Sequence, residues 1–271
     1  MYRFNVLGDL EVWSDGRSCT PSAPKVRAVL ALLLLRTNRI VTMDALFEEL
    51  WGENLPRSAT TTTQTYIYQL RRTFERNGTA PGEDLLITRP PGYLLRIDPE
   101  QLDAYVFERM VNDGSEFFQR GEFARAAEVL RGALKLWHGP VLAGTRIGRM
   151  LETHTASLAE IHMRAMEMRL DADIRLGRYR ELIPELRSLV SSHPLNEWLH
   201  ARLIHCLSQC GRRGEALGAY DRLRHILSDE LGLDPAPELQ RLQADVLKGM
   251  IAPMSGPGTA GHELAAFARA V

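Results

Sequence analysis

Strand signals in this chain stop near residue 102. Before that point short runs alternate apolar and polar residues; after it the apolar residues recur at helical spacing. A chain that changes period once must build two architectures, and 271 residues with 45% apolar content are ample for two cores. The expected organisation is a head over 1–100, an all-helical body over 101–250, and a Pro/Gly-containing tail over 251–271.

In the head, Tyr2, Phe4 and Val6 alternate with polar neighbours, Gly8-Asp9 breaks the run, Leu10 to Trp13 resumes it, and Asp15-Gly16 is a strong turn pair. Short antiparallel strands therefore open the chain. Pro24, after Ser22 as a cap, begins a first helix whose Val26, Val29, Leu30, Leu33 and Leu34 keep helical spacing to near Arg36. Thr42 can cap a second helix through Leu50, and Gly52 ends it. From Ser58 to Arg76, Thr63, Ile67, Leu70 and Phe74 line one face of a third helix, despite the β-branched run Thr60 to Thr63.

Opposite that stripe lie Thr61, Thr62, Thr65, Gln69, Arg72 and Arg76, with Tyr68 on the flank. A helix meant only for solvent is usually rich in Glu and Lys. Hydroxyls and an amide can instead bond phosphates or base edges, and arginine pairs bidentately with phosphate or guanine, so this face suits a major groove. On spacing alone, a polar surface helix is an equal alternative. The next stretch, Leu85 to Ile97, reads strand, turn, strand, with Pro90 and Pro91 stiffening the tip. Such a ribbon is a wing, and Arg89 at its tip is suited to the negative potential of a minor groove. Residues 57 to 96 hold six arginines (57, 71, 72, 76, 89 and 96) against three acids, although the whole chain has a formal charge of −1. Any DNA affinity must come from this local patch.

The body reads as helices over 103–119, 123–136, 150–176, 178–192, 196–210, 213–231 and 236–249. Gly177-Arg178-Tyr179-Arg180-Glu181-Leu182-Ile183 recurs as Gly211-Arg212-Arg213-Gly214-Glu215-Ala216-Leu217, a shift of 34 residues, which is the tetratricopeptide period. An earlier copy at Gly121 is displaced by 56 residues, so the array is irregular. Small residues such as Ala127, Ala133 and Ala216 allow close helix pairing, and such stacks present a concave surface to a partner. A plain helical spacer or dimerisation domain is the alternative.

Catalytic signatures are missing. The sequence has no Gly-x-x-x-x-Gly-Lys-Ser/Thr loop, no Gly-x-Ser-x-Gly elbow and no His-Glu-x-x-His pair, so neither an enzyme nor a cofactor is expected. His205, Cys206 and Cys210 form the one metal-like cluster, but no CxxC pair or fourth ligand completes a zinc site, and buried structural thiols are favoured. Three cysteines without scaffold spacing, no signal peptide and no long apolar run lead to the expectation of a cytoplasmic protein that does not enter a membrane.

Several segments together resemble the Streptomyces antibiotic regulatory protein family of activators. They are Leu50-Trp51-Gly52, Gln64-Thr65-Tyr66-Ile67-Tyr68-Gln69-Leu70-Arg71-Arg72, Pro91-Gly92-Tyr93-Leu94-Leu95, Leu102-Asp103-Ala104, and Ala133-Leu134-Lys135-Leu136-Trp137-His138-Gly139. The resemblance covers roughly residues 1 to 250. It implies a mostly α protein in which a winged helix-turn-helix with a small sheet and wing precedes a tetratricopeptide-like bacterial transcriptional activation domain. It further implies promoter DNA with direct repeats as a partner, a dimer on that DNA, recruitment of RNA polymerase through its sigma factor, and control of antibiotic production. Carried over by position, residues 61 to 72 match the recognition helix, Arg89 the wing residue in the minor groove, and Trp51 a position that can touch phosphate or belong to the core. The DNA-binding set is then Thr61, Thr62, Thr65, Tyr68, Gln69, Arg71, Arg72, Arg76 and Arg89. Residues 250 to 261 read as a linker and Leu264 to Val271 as the start of a further segment, as in the N-terminal portion of a larger regulator. The competing reading is a helical-repeat adaptor without specific DNA binding.

Overall fold

The computed structural model describes residues 2–77 and 82–249; the linker and tail expected from 250 onward lie outside the described residues. The chain divides into two compact units, residues 1–169 and 170–271, and each is taken separately.

The first unit opens with β1 (Tyr2–Asn5), β2 (Glu11–Ser14) and β3 (Arg17–Ser18), an antiparallel sheet in that order. Asp15 and Gly16 join β2 to β3 with φ of 48° and 79°, the left-handed pair that a two-residue hairpin needs. Helix α1 (Pro24–Leu35) starts on its proline, but Ala23 is the N-cap and no side chain caps it, so Ser22 does not have the expected role. The apolar stripe read from the sequence is only part of what α1 buries: Ala28, Ala31 and Leu32 are covered as well, which makes it the central helix of the unit.

Strand β4 (Val41–Thr42) precedes α2 (Met43–Trp51), where the Thr42 hydroxyl accepts from the Ala45 amide at 3.2 Å. Helix α3 (Ala59–Asn77) buries Ala59, Thr63, Ile67, Leu70 and Phe74. The short α4 (Gly82–Leu85) takes Leu85 out of the expected strand, and β5 (Leu86–Arg89) and β6 (Gly92–Leu95) form the wing. The second sheet has the order β4-β6-β5, leaving β5 at its edge.

The same core continues through α5 (Asp103–Gln119), α6 (Phe123–Leu134) and the first part of α7 (Arg149–Arg175); Phe4, Leu33 and Phe74 belong to one buried cluster with Phe107, Leu130 and Leu158. The sequence division at residues 100 and 101 follows the change of period, whereas compactness follows packing. Asp103 shows why: its carboxylate accepts from the amides of Val6 at 2.9 Å and Leu7 at 3.0 Å. The His138 amide donates to the Leu7 carbonyl at 2.8 Å, and the buried Glu49 carboxylate accepts from the amides of Gly148 and Leu151 at the start of α7. Gly114 allows the α5–α6 approach, since a Cβ there would lie 2.6 Å from Leu130 Cγ.

In the second unit α8 (Tyr179–Ser192), α9 (Glu197–Gln209), α10 (Arg213–Leu231) and α11 (Pro237–Lys248) follow the end of α7, and α9 packs against both α8 and α10. The repeat is visible as geometry. Gly177 and Gly211 both have φ of 74°; each glycine amide bonds the carbonyl three residues back, and each following arginine amide bonds the carbonyl five residues back, at Asp173 and Leu207. This is the Schellman closure of a helix end. Gly121 in the first unit repeats it with φ of 77°, so the displaced copy is the same structural turn.

Arg202 forks onto Asp171 at 2.7 and 3.2 Å, both side chains being buried, and its guanidinium lies 4.3 Å from the Trp198 ring centre. Cys206 is fully covered, and burial pushes its thiol up to about 12, the state of a packing residue and not of a nucleophile. Among the described residues no three His, Cys, Asp or Glu side chains converge as a metal site, and no helix is long and apolar enough to cross a membrane.

The protein is therefore mostly α, with a winged helix-turn-helix and its small sheets at the N-terminus and tetratricopeptide-like helices after it.

Candidate nucleic-acid interface

Helix α3 accommodates its threonines in two ways. Thr63 is buried in the core stripe, while the exposed Thr65 hydroxyl donates to the Thr61 carbonyl one turn back at 2.9 Å. The far end of the helix is held from the first sheet. The Tyr2 hydroxyl donates to the Phe74 carbonyl at 2.6 Å and the Ser14 hydroxyl to the Asn77 carbonyl at 2.5 Å. Both carbonyls belong to the last turn of α3, so two side chains from the first sheet anchor the end of the helix. The Tyr2 phenol, pushed up to about 12 chiefly by burial, remains protonated as that donor.

With the apolar stripe fixed inward, Thr61, Thr65, Tyr68, Gln69, Arg72 and Arg76 are exposed on one continuous surface, and Thr62 is half-buried on its margin. Tyr68 is 61% exposed, a large ring on an otherwise polar face. Arg72 makes an exposed ion pair with Glu75 at 3.6 Å, a contact weak enough to yield to phosphate or guanine.

The wing places Arg89 at the end of β5, exposed and paired with Gly92 of β6. Gly92 in turn pairs with Thr42, tying the wing to the residue that caps α2. A Cβ on Gly92 would fall 1.9 Å from the Val41 carbonyl oxygen, so only glycine fits there.

Arg71 stands apart from the set with which the sequence grouped it. Half-buried on the flank of α3, it turns to β5: Nε and Nη2 donate to the Leu86 carbonyl at 2.9 and 2.8 Å, and Nη2 also donates to the Thr88 hydroxyl at 2.8 Å. Trp51 is half-buried, with its ring 6.0 Å from that of Phe47 and Lys25 Nζ 4.6 Å from its centre. Arg57, which belongs to the basic patch, and Ser58 are both exposed immediately before α3.

Both halves of the chain match known proteins. Residues 18–95 match the family model described as transcriptional regulatory protein, C terminal, and residues 102–247 match that of the bacterial transcriptional activator domain. The regulatory protein DnrI of Streptomyces peucetius is 40% identical over 252 residues, which cover 91% of this chain and 92% of DnrI. AfsR of Streptomyces coelicolor is 37% identical over 247 residues, covering 91% of this chain and 24% of AfsR, so the chain spans about a quarter of that relative. Among solved structures, Mycobacterium tuberculosis EmbR in complex with a low affinity phosphopeptide aligns with a TM-score of 0.86 and 33% identity, over 99% of this chain and 70% of that one.

Proposed function

Since the chain belongs to the Streptomyces antibiotic regulatory protein family of transcription activators, we propose that it binds direct repeats near a promoter and recruits RNA polymerase through its sigma factor. Helix α3 enters the major groove and the wing follows the adjacent minor groove. Two protomers sit side by side on the repeats, and the genes controlled belong to antibiotic production.

The observation that carries this reading is the unbroken exposed face of α3, where Thr61, Thr65, Tyr68, Gln69, Arg72 and Arg76 lie together in the same unit as the exposed Arg89. Its chemistry divides by reach. Gln69 and Arg72, near the middle of the helix, have the bidentate geometry for adenine and guanine edges. Thr61 and Thr65 offer hydroxyls to phosphate and methyls to thymine, and Thr62 reaches phosphate from the margin. Tyr68 can stack along the sugar-phosphate wall, Arg76 meets the backbone, and Arg89 enters the minor groove. The helical body is the surface for polymerase.

Arg72→Ala tests the base-reading role. Anisotropy titrations against a panel of single-base operator variants should show a loss of about 1–3 kcal/mol that disappears at the one base pair Arg72 reads. A uniform loss across the panel would assign Arg72 to phosphate. Undiminished binding by a folded variant would remove it from the site.

A further inference from the structure

We infer that Arg71 is a positioning residue that locks the wing to α3, so that the two grooves are read as one rigid unit; this rests on the DNA-binding reading above. The guanidinium makes three hydrogen bonds of 2.8–2.9 Å to β5, at Leu86 and Thr88, and Arg89 is the next residue along the strand. β5 is the edge of its sheet. The Leu85 carbonyl faces the ladder, accepting from the Arg96 amide at 2.7 Å. Strand alternation therefore turns the Leu86 carbonyl outward, where Arg71 is its partner among the described residues.

The two sides of the wing are thus held by different devices. β6 is tied to β4 by the Val41↔Tyr93 and Thr42↔Gly92 pairs, and β5 is hydrogen-bonded to α3 through the Arg71 side chain. Arg71 belongs to the helix that presents Gln69 and Arg72, so its fork sets the distance from that face to Arg89. Lysine cannot replace it: a single ammonium cannot reproduce the planar fork that spans a carbonyl and a hydroxyl two residues apart. Arg71 and Arg72 are adjacent and identical in type, yet one serves the fold of the reading head and the other serves its target.

The test is a double-mutant cycle on the full chain, with affinity measured for a promoter duplex carrying the direct repeat. Arg89→Ala and Arg71→Met should each weaken binding roughly tenfold, and the double variant should lose no more than about threefold beyond Arg89→Ala alone, because Arg71 acts through the wing. Arg71→Lys should behave like Arg71→Met. In the Arg89→Ala background, Arg71→Met should leave the salt dependence unchanged, whereas loss of a phosphate contact would lower the slope by about 1. Losses that multiply to about a hundredfold, or rescue by Arg71→Lys, would overturn the inference in favour of direct DNA contact. Full affinity in a folded Arg71→Met protein would overturn it as well. If the parent chain does not prefer the repeat over an unrelated duplex, the DNA-binding reading itself fails, an outcome distinct from any coupling result.

Discussion

Gly92→Ala is expected to lower the melting temperature and to weaken promoter binding at least about tenfold at temperatures where the protein remains folded, since displaced reading groups lose contacts of about 1–3 kcal/mol each. The new methyl would sit 1.9 Å from the Val41 carbonyl oxygen and 2.8 Å from Thr42 Cα, and both are backbone atoms. β4 cannot swing aside freely, because Thr42 also caps α2. The wing strand must move instead. Gly92 is the partner of Arg89, so the movement reaches the arginine proposed for the minor groove. Overpacking of this kind costs about 1–3 kcal/mol, and parting β6 from β4 adds the loss of ladder bonds. Gly218→Ala in α10 is the matched control: its nearest neighbour would be the flexible Arg222 guanidinium at 3.6 Å, and removing a helix-interior glycine should stabilise by about 0.5–1 kcal/mol. Circular-dichroism melts and anisotropy titrations measure both variants. An unchanged melt and affinity for Gly92→Ala would mean that the wing is not held by β4.

The second large effect concerns the second unit and acid. His205 is almost fully buried in α9 beside the Tyr179 ring, and neither ring nitrogen has a hydrogen-bond partner among the described residues. Burial foremost, then the positive charge of Arg202, lower its pKa from 6.5 to about 4, while Asp171 acts in the opposite direction. The folded imidazole thus stays neutral where an unfolded one would take a proton. Its contribution to stability is complete above 6.5 and is lost as pH falls towards 4, a difference on the order of 3 kcal/mol. His205→Leu keeps an apolar side chain of similar bulk and removes the titration. Urea unfolding at neutral and acid pH should therefore show a smaller acid loss for this variant than for the parent. A residual loss is expected from His154, His162 and His200, whose pKa values are also lowered chiefly by burial. An acid slope identical in parent and variant would show that His205 is solvated in solution.

Long amphipathic elements were legible in the sequence because periodicity needs length. The threonine-containing stripe of α3 and the helices from Asp103 onward could be placed to within a residue or two at most ends. β4, with two residues, and α4, with four, are too short to show a period, and both are set by partners distant in sequence. The same limit hid the ties across residue 100. Asp103 reads as an ordinary first-turn acid, yet its carboxylate reaches back to Val6 and Leu7, and Glu49 reads as a polar helix residue although it receives the start of α7. Within the candidate interface, composition identified the polar face and the charge of the patch. It could not separate Arg71 from Arg72, because helical spacing fixes where a Cα lies and not which way a flanking guanidinium turns.

The central claim, that this head reads promoter DNA, is tested most directly by titrating the affinity of the chain against salt. The measurement uses a duplex carrying a direct repeat beside an unrelated duplex of equal length. The account predicts clear preference for the repeat and a steep fall with salt, with a slope of about −0.9 for each phosphate neutralised. Equal affinity for the two duplexes, or binding that does not respond to salt, would contradict it.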